Sequence, residues 1–129
     1  MKFLALAAFA LLSTGPSTEV TSAPQAPSPF SLTLEHRDNT WSATCATGCS
    51  WKELSVTCAI ECAVIVDDQG MLTAQSGRRN SEKFSFLAEP TTEGWEAHAY
   101  VGTAWESLSR SCAIARCRGK VTELGVSAP

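Results

Sequence analysis

Hydrophobic and polar positions alternate with period two through most of the chain after residue 29. Phe30, Leu32 and Leu34 alternate with Ser31, Thr33 and Glu35, and Phe84, Phe86 and Ala88 alternate with Ser85, Leu87 and Glu89. Such alternation predicts strands with one buried face. Turn chemistry follows at His36-Arg37-Asp38-Asn39 and at Pro90-Thr91-Thr92-Glu93-Gly94. Trp41, Ala43 and Cys45 share one face of a second strand, as do Trp95, Ala97, Ala99 and Val101, before turns at Gly48 and Gly102. A third strand is expected over residues 51–58 and 105–112. Trp51 and Leu54 are three apart and fall on opposite faces of a regular strand, so a bulge or one helical turn is expected at Lys52-Glu53 and at Glu106-Ser107. A fourth strand is expected over residues 62–66 and 117–121, the first closing on the turn Asp67-Asp68-Gln69-Gly70.

The two series are the same series written twice. Residues 30–60 laid over residues 84–114 share 12 of 31 positions without a gap, among them Trp41/Trp95, Trp51/Trp105 and Cys58/Cys112. Unrelated segments of ordinary composition would share about two. One inserted residue then sets Cys62 over Cys117, Val66 over Val121 and Gly70 over Gly125. The expectation is an all-β domain of two tandem four-stranded repeats of about 42 residues, packed face to face as a small sandwich or barrel with disulfide-clipped hairpins. The repeats cover residues 30–71 and 84–126, joined by a polar link over 72–83, with a short tail over 127–129. Two copies rather than three, and no Gln-x-Trp signature, argue against a three-fold trefoil.

The first 29 residues do not fit that pattern. One lysine precedes ten apolar residues, Phe3 to Leu12. This resembles the n- and h-regions of a signal peptide, and a ten-residue helix spans about 15 Å, roughly half a bilayer core. Residues 1–23 are therefore expected to be a signal peptide, with cleavage near Thr21-Ser22-Ala23 or near Gly15-Pro16-Ser17. Residues 24–29, rich in Pro, Ser and Ala, are expected to be a linker. The expected location is extracytoplasmic, secreted or periplasmic, with no transmembrane segment in the mature chain.

Export changes how the six cysteines are read, because an oxidising compartment favours disulfides. The second repeat holds only Cys112 and Cys117, whose counterparts are Cys58 and Cys62. That leaves Cys45 and Cys49 as the third pair, each pair flanking a short loop within disulfide reach. Cys45-x3-Cys49-x8-Cys58-x3-Cys62 also has near-zinc spacing, but the second repeat lacks half of such a site. No metal or other cofactor is expected.

Composition narrows function more than it defines it. Ten basic and 13 acidic residues give a net charge of -3, the wrong sign for a general nucleic-acid binder. Elbow, phosphate-loop and zinc-helix motifs are missing from the sequence, and no catalytic residue is assigned. Glu96, His98 and Tyr100 alternate on one face and could supply acid–base groups, although alternation alone yields such triplets. Asp67-Asp68 offers too few oxygens for calcium and fits a turn. The four tryptophans, matched between the repeats, are expected in the core rather than in a glycan-stacking row. Arg110, Arg116, Arg118 and Lys120 lie in an acid-free stretch with no match in the first repeat. They form a candidate surface for an anionic envelope component or an acidic protein, although edge strands also carry such charges to prevent pairing.

The leading expectation is a small exported non-enzymatic β-domain, a binding or structural module at the cell envelope or outside the cell. The alternatives are a small secreted hydrolase using His98 and Glu96, and a disulfide-clipped inhibitor or toxin-like protein. A monomer is expected, because internal pseudo-twofold symmetry often replaces a homodimer.

Overall fold

A computed structural model describes residues 27–58, 60, 62–81, 83–112 and 117–129. The proposed signal peptide and the first half of the linker, residues 24–26, lie outside the described residues. Within them the chain is all-β: β1 (Ser31–Arg37), β2 (Thr40–Thr47), β3 (Glu53–Thr57), β4 (Val64–Asp67), β5 (Gly70–Thr73), β6 (Ser85–Pro90), β7 (Gly94–Val101), β8 (Ser107–Ser111), β9 (Cys117–Thr122) and β10 (Gly125–Ser127). One short 3-10 turn, Ala74–Ser76, follows β5. No helix among the described residues is long and apolar enough to cross a membrane.

Each half has five strands rather than four. After β4 the chain turns at Asp68-Gln69 and runs back along it, Asp67 facing Gly70 and Val64 facing Thr73. The same return after β9 pairs Thr122 with Gly125. The glycines that close these turns also start the extra strands, so the sequence pattern shows a stop where the chain reverses. Met71 and Leu72 of β5 are apolar, so the segment expected as a polar link begins inside a strand.

The strands form two five-stranded antiparallel sheets, ordered β10-β9-β1-β2-β3 and β5-β4-β6-β7-β8. The halves therefore do not lie one per sheet, as the repeat pattern suggests. β1, β2 and β3 stay together, but the chain then leaves that sheet and β4 pairs with β6. In return β9 pairs with β1, Leu32 opposite Val121 and Leu34 opposite Gly119. Each sheet is three strands of one half completed by two of the other. Alternation decides which face of a strand is buried, but not which strand becomes its neighbour, and that freedom is where the exchange enters.

Local features recur 54 residues apart. Gly48 and Gly102 have φ of 88° and 86°, in the left-handed region that favours glycine. A Cβ on Gly102 would also lie 1.9 Å from the Lys83 carbonyl oxygen, so the chain before β6 passes where only hydrogen fits. The register slips at Ser31/Leu32 against β2 and at Ser85/Phe86 against β7. These are the irregularities of the hairpins, whereas Lys52 and Glu106 fall just before β3 and β8. Their carbonyls accept hydrogen bonds from Cys45 and Ala99 N–H, both at 2.8 Å. The first turn is tighter than expected. His36 and Arg37 remain in β1, and only Asp38 and Asn39 turn, with φ of 49° and 64°, as a two-residue hairpin requires.

The core lies between the sheets and joins counterpart to counterpart. Phe30 stacks on Phe84 with ring centroids 3.9 Å apart, and Trp41 meets Trp95 edge-on at 6.5 Å. Leu32, Leu34, Val64, Val66, Phe86, Ala88, Ala97 and Val121 fill the space around them, all buried. Trp41 and Trp95 are fully buried, while Trp51 and Trp105 are half-buried and pack against the core from its margins. Each buried indole N–H has a partner: Trp41 donates to the Cys62 carbonyl at 2.8 Å and Trp95 to the Cys117 carbonyl at 3.2 Å. Trp51 and Trp105 donate to the carbonyls of Asp67 and Thr122, at 3.0 and 2.9 Å. Beside them, Ser50 N–H bonds the Asp68 carbonyl and Ala104 N–H the Glu123 carbonyl, both at 2.8 Å. These bonds tie the β2–β3 and β7–β8 connections to the far sheet.

The disulfides are Cys45–Cys49, Cys58–Cys62 and Cys112–Cys117, with Cα separations of 6.3, 6.0 and 5.4 Å. Only the first lies within a hairpin, the β2–β3 connection. The other two clip the crossovers from β3 to β4 and from β8 to β9, because the strands they join belong to different sheets. They fix where the chain changes sheet rather than the register of a hairpin.

Asp67 is a buried carboxylate that the turn reading of Asp67-Asp68 does not anticipate in full. Its Oδ1 accepts Gln69 and Gly70 N–H, each at 2.8 Å, as a turn aspartate does. It also receives Arg79, Nε to Oδ2 at 2.8 Å and a second guanidinium nitrogen to Oδ1 at 3.1 Å. Hydrogen bonding to Asp67 raises the Arg79 pKa, against an opposing desolvation and with further help from the charges of Asp67 and Asp68. Ser81 Oγ bonds Asp68 Oδ1 and the Phe84 carbonyl, so the segment between the halves is pinned to the β4–β5 turn. Arg79→Met would strand a fully buried carboxylate. We expect a loss of about 3 kcal/mol in denaturant unfolding with the slope unchanged, and Asp67→Asn combined with Arg79→Met should recover part of it.

Candidate functional site

The sheets present two outer faces of the same construction and different chemistry. On β1, β2 and β9, Glu35 faces Ser42 across one pair and Arg118 across the other, while Thr33 faces Thr44 and Lys120. Side chains directly opposite on antiparallel strands share a face. The result is a shallow polar groove lined by Thr33, Glu35, Ser42, Thr44 and Arg118. Arg118 Nε lies 3.7 Å from Glu35 Oε2, with about half of the Arg118 side chain exposed. Lys120 is exposed one pleat further along β9.

Arg110 belongs elsewhere. It lies on β8, in the other sheet, opposite the buried Trp95. Its position is therefore on the inward side, at an edge where the inward side opens to solvent. Its stem passes over Gly119, with Cδ 3.4 Å from where a Cβ there would lie, and its Nε donates to the Arg118 carbonyl at 2.8 Å. In the first half the same place, opposite Trp41, is held by Val56, which packs on the core. Arg110 therefore closes the seam with its aliphatic stem and sends its charge outward. Arg118 and Lys120 share a face, and Arg110 reaches their strand from the neighbouring sheet. Arg116 lies outside the described residues.

On β6 and β7 the corresponding face carries Glu89 opposite Glu96, with His98 one pleat along, opposite Leu87. His98 Nε2 is 3.0 Å from Glu89 Oε1 and 3.0 Å from Glu96 Oε1. All three side chains are about two-fifths exposed, at 42%, 40% and 42% for Glu89, Glu96 and His98. The structure thus joins Glu96 and His98 of the sequence triplet but not Tyr100, which is the extra residue of the bulge, between Ala99 and Val101, with the Arg78 guanidinium 4.4 Å above its ring. The third member is Glu89, on the neighbouring strand. Its signal in the sequence was its identity with Glu35 together with the hairpin at residues 90–94, whose register sets it opposite Glu96.

Acid–base catalysis needs more than this contact. Ser107 faces His98 across β7 and β8, yet no hydrogen bond joins them among the described residues, and the face is an open sheet surface. His36, the other histidine, packs its ring against Trp41 at 4.5 Å and plays no part in the cluster. An apolar groove lies at the first crossover, lined by Cys58, Ile60, Cys62, Ala63, Thr73, Ala74 and Gln75, with Ile60 78% exposed.

Comparison with protein-family models, with curated proteins and with solved structures finds no match to this chain. Function therefore rests on the chemistry of these faces. If Arg110 is a seam residue, Arg110→Val should leave stability within about 1 kcal/mol of the parent, since Val56 does the same work opposite Trp41. Arg110→Asp, which removes the stem and sets a carboxylate against the Arg118 carbonyl, should cost about 1–3 kcal/mol in denaturant unfolding.

Proposed function

We propose that the chain is an exported, non-enzymatic β-module that binds or organises an anionic component at the cell envelope or outside the cell. The observation that carries this reading is the use of all six cysteines in three short disulfides. Such a framework persists in an oxidising compartment and is rare in the cytosol. The lysine and apolar run at residues 2–12 supply the matching export signal. Chain economy supports it further. Most positions that match between the halves are core, turn and cysteine positions, with Glu35/Glu89 and Ser55/Ser109 matched on the outer faces, which supports a tandem duplication of a scaffold over residues 30–71 and 84–126. The polar faces are what differ, as expected where a scaffold carries binding rather than catalysis.

Within this reading Arg118 and Lys120 meet the anionic partner, and Arg110 adds its charge from the seam. The partner is not a nucleic acid, given a net charge of -3, and the module acts as a monomer. The hydrolase alternative has the contact between His98 and Glu96 in its favour, and the inhibitor alternative has the clipped crossovers.

Two measurements test the proposal. Mass spectrometry of the protein recovered from its own host should show a chain cleaved after the apolar run and six hydrogens lighter than its reduced form. Recovery from the cytosol with free thiols would overturn the export reading. Retention of the mature protein on an immobilised sulfated polysaccharide should fall with salt and be lost in an Arg118→Glu/Lys120→Glu variant. Equal retention of parent and variant would remove that surface as the binding face.

A further inference from the structure

We infer that Glu89, Glu96 and His98 form a binding site for a divalent transition-metal ion, with Zn2+ as the probe of choice. The inference rests on the geometry of the β6–β7 face and holds whether or not the module is exported.

Two carboxylates directly opposite each other on neighbouring strands repel, and such pairs are destabilising by up to about 1 kcal/mol. Glu89 and Glu96 stand in that relation. Among the described residues their ion-pair partner is His98, a single imidazole shared between the two carboxylates. The other sheet shows the same scaffold carrying one carboxylate at this place instead of two. Glu35 there faces Ser42 rather than a second acid, Thr44 stands in the place of His98, and Arg118 approaches the carboxylate at 3.7 Å. On the β6–β7 face every one of these choices is reversed. Ser42 becomes Glu96, Thr44 becomes His98, and the place of Arg118 is taken by Ala63. Negative charge has been added, the guanidinium is missing, and an imidazole has been placed beside the acids.

The donor geometry fits a metal. One nitrogen and two carboxylate oxygens, one from each residue, lie within 4.8 Å of one another, and His98 Nε2 is 3.0 Å from both oxygens. Donors around a tetrahedral zinc with bonds of about 2.0–2.2 Å stand about 3.3 Å apart. A small side-chain adjustment on an exposed face therefore admits the ion. Imidazole with carboxylates suits zinc and its first-row neighbours better than calcium or magnesium, which favour all-oxygen shells. Three protein donors leave at least one position open. The site could take a water, or a carboxylate or imidazole from a partner. The strands hold the donors at fixed spacing: Glu96 and His98 are two apart on β7, and Glu89 is held by the register of β6.

The test is calorimetric titration of the chelator-treated, disulfide-bonded protein with zinc chloride. One equivalent should bind. His98→Ala and Glu89→Gln/Glu96→Gln should each weaken binding more than about tenfold. Because these side chains project from an outer face, unfolding midpoints in the absence of metal should match the parent or, for the double Gln variant, rise slightly as the repulsion is removed. A second readout needs no variant: zinc should shift the Nε2 resonance of His98 and leave that of His36, packed against Trp41, in place. No heat with zinc, binding undiminished in His98→Ala, or an unmoved His98 resonance would each overturn the proposal.

Discussion

The hydrogen bond from the Trp41 indole to the Cys62 carbonyl, with its counterpart from Trp95 to Cys117, is the contact on which this fold depends. Each lies where the chain crosses from one sheet into the other, Cys62 just before β4 and Cys117 as the first residue of β9. A buried tryptophan costs stability if its N–H is unmet, and the landing carbonyl of the crossover is what meets it. The disulfides Cys58–Cys62 and Cys112–Cys117 fix the same segments covalently. Core and crossover thus specify each other. The largest side chains in the core are satisfied only if the chain changes sheet, and the change brings β4 to β6 and β9 to β1.

The rest of the architecture follows from that exchange. With β4-β5 and β9-β10 traded, the free edges of the two sheets come to lie beside each other, β3 near β5 and β8 near β10. Exposed edges template unwanted pairing. Here they are bridged by the Trp51 and Trp105 indoles and by the backbone bonds from Ser50 and Ala104. Arg110 adds a side-chain lid at the second seam. The charge on that residue is a by-product of its position as much as a feature of the surface.

Much of this was legible in the sequence, and the illegible parts share a physical cause. Alternation gave an all-β chain, and the matched cysteines gave the disulfide pairing. What alternation does not encode is adjacency. Residues 62–66 read as a strand, but nothing local says that it pairs with β6 rather than β3. The fifth strands were missed because Gly70 and Gly125 both close a turn and open a strand. Arg110 read as surface because arginine usually is, and only its register opposite Trp95 shows that its stem closes the seam. Glu89 was visible as a match to Glu35, but its relation to Glu96 and His98 appears only once the hairpin is closed.

The pairing of β1 with β9 has a consequence for how the chain comes into being. Strand β1 begins at Ser31, and its partner ends at Thr122, so a strand near the start of the domain waits for one near its end. A chain synthesised from its N-terminus presents β1 to β3 with one flank of β1 bare until β9 has followed. The first half therefore has no complete sheet to settle into while the second is being made. Closure of the sheets is deferred until then, and long-range pairing sets its pace.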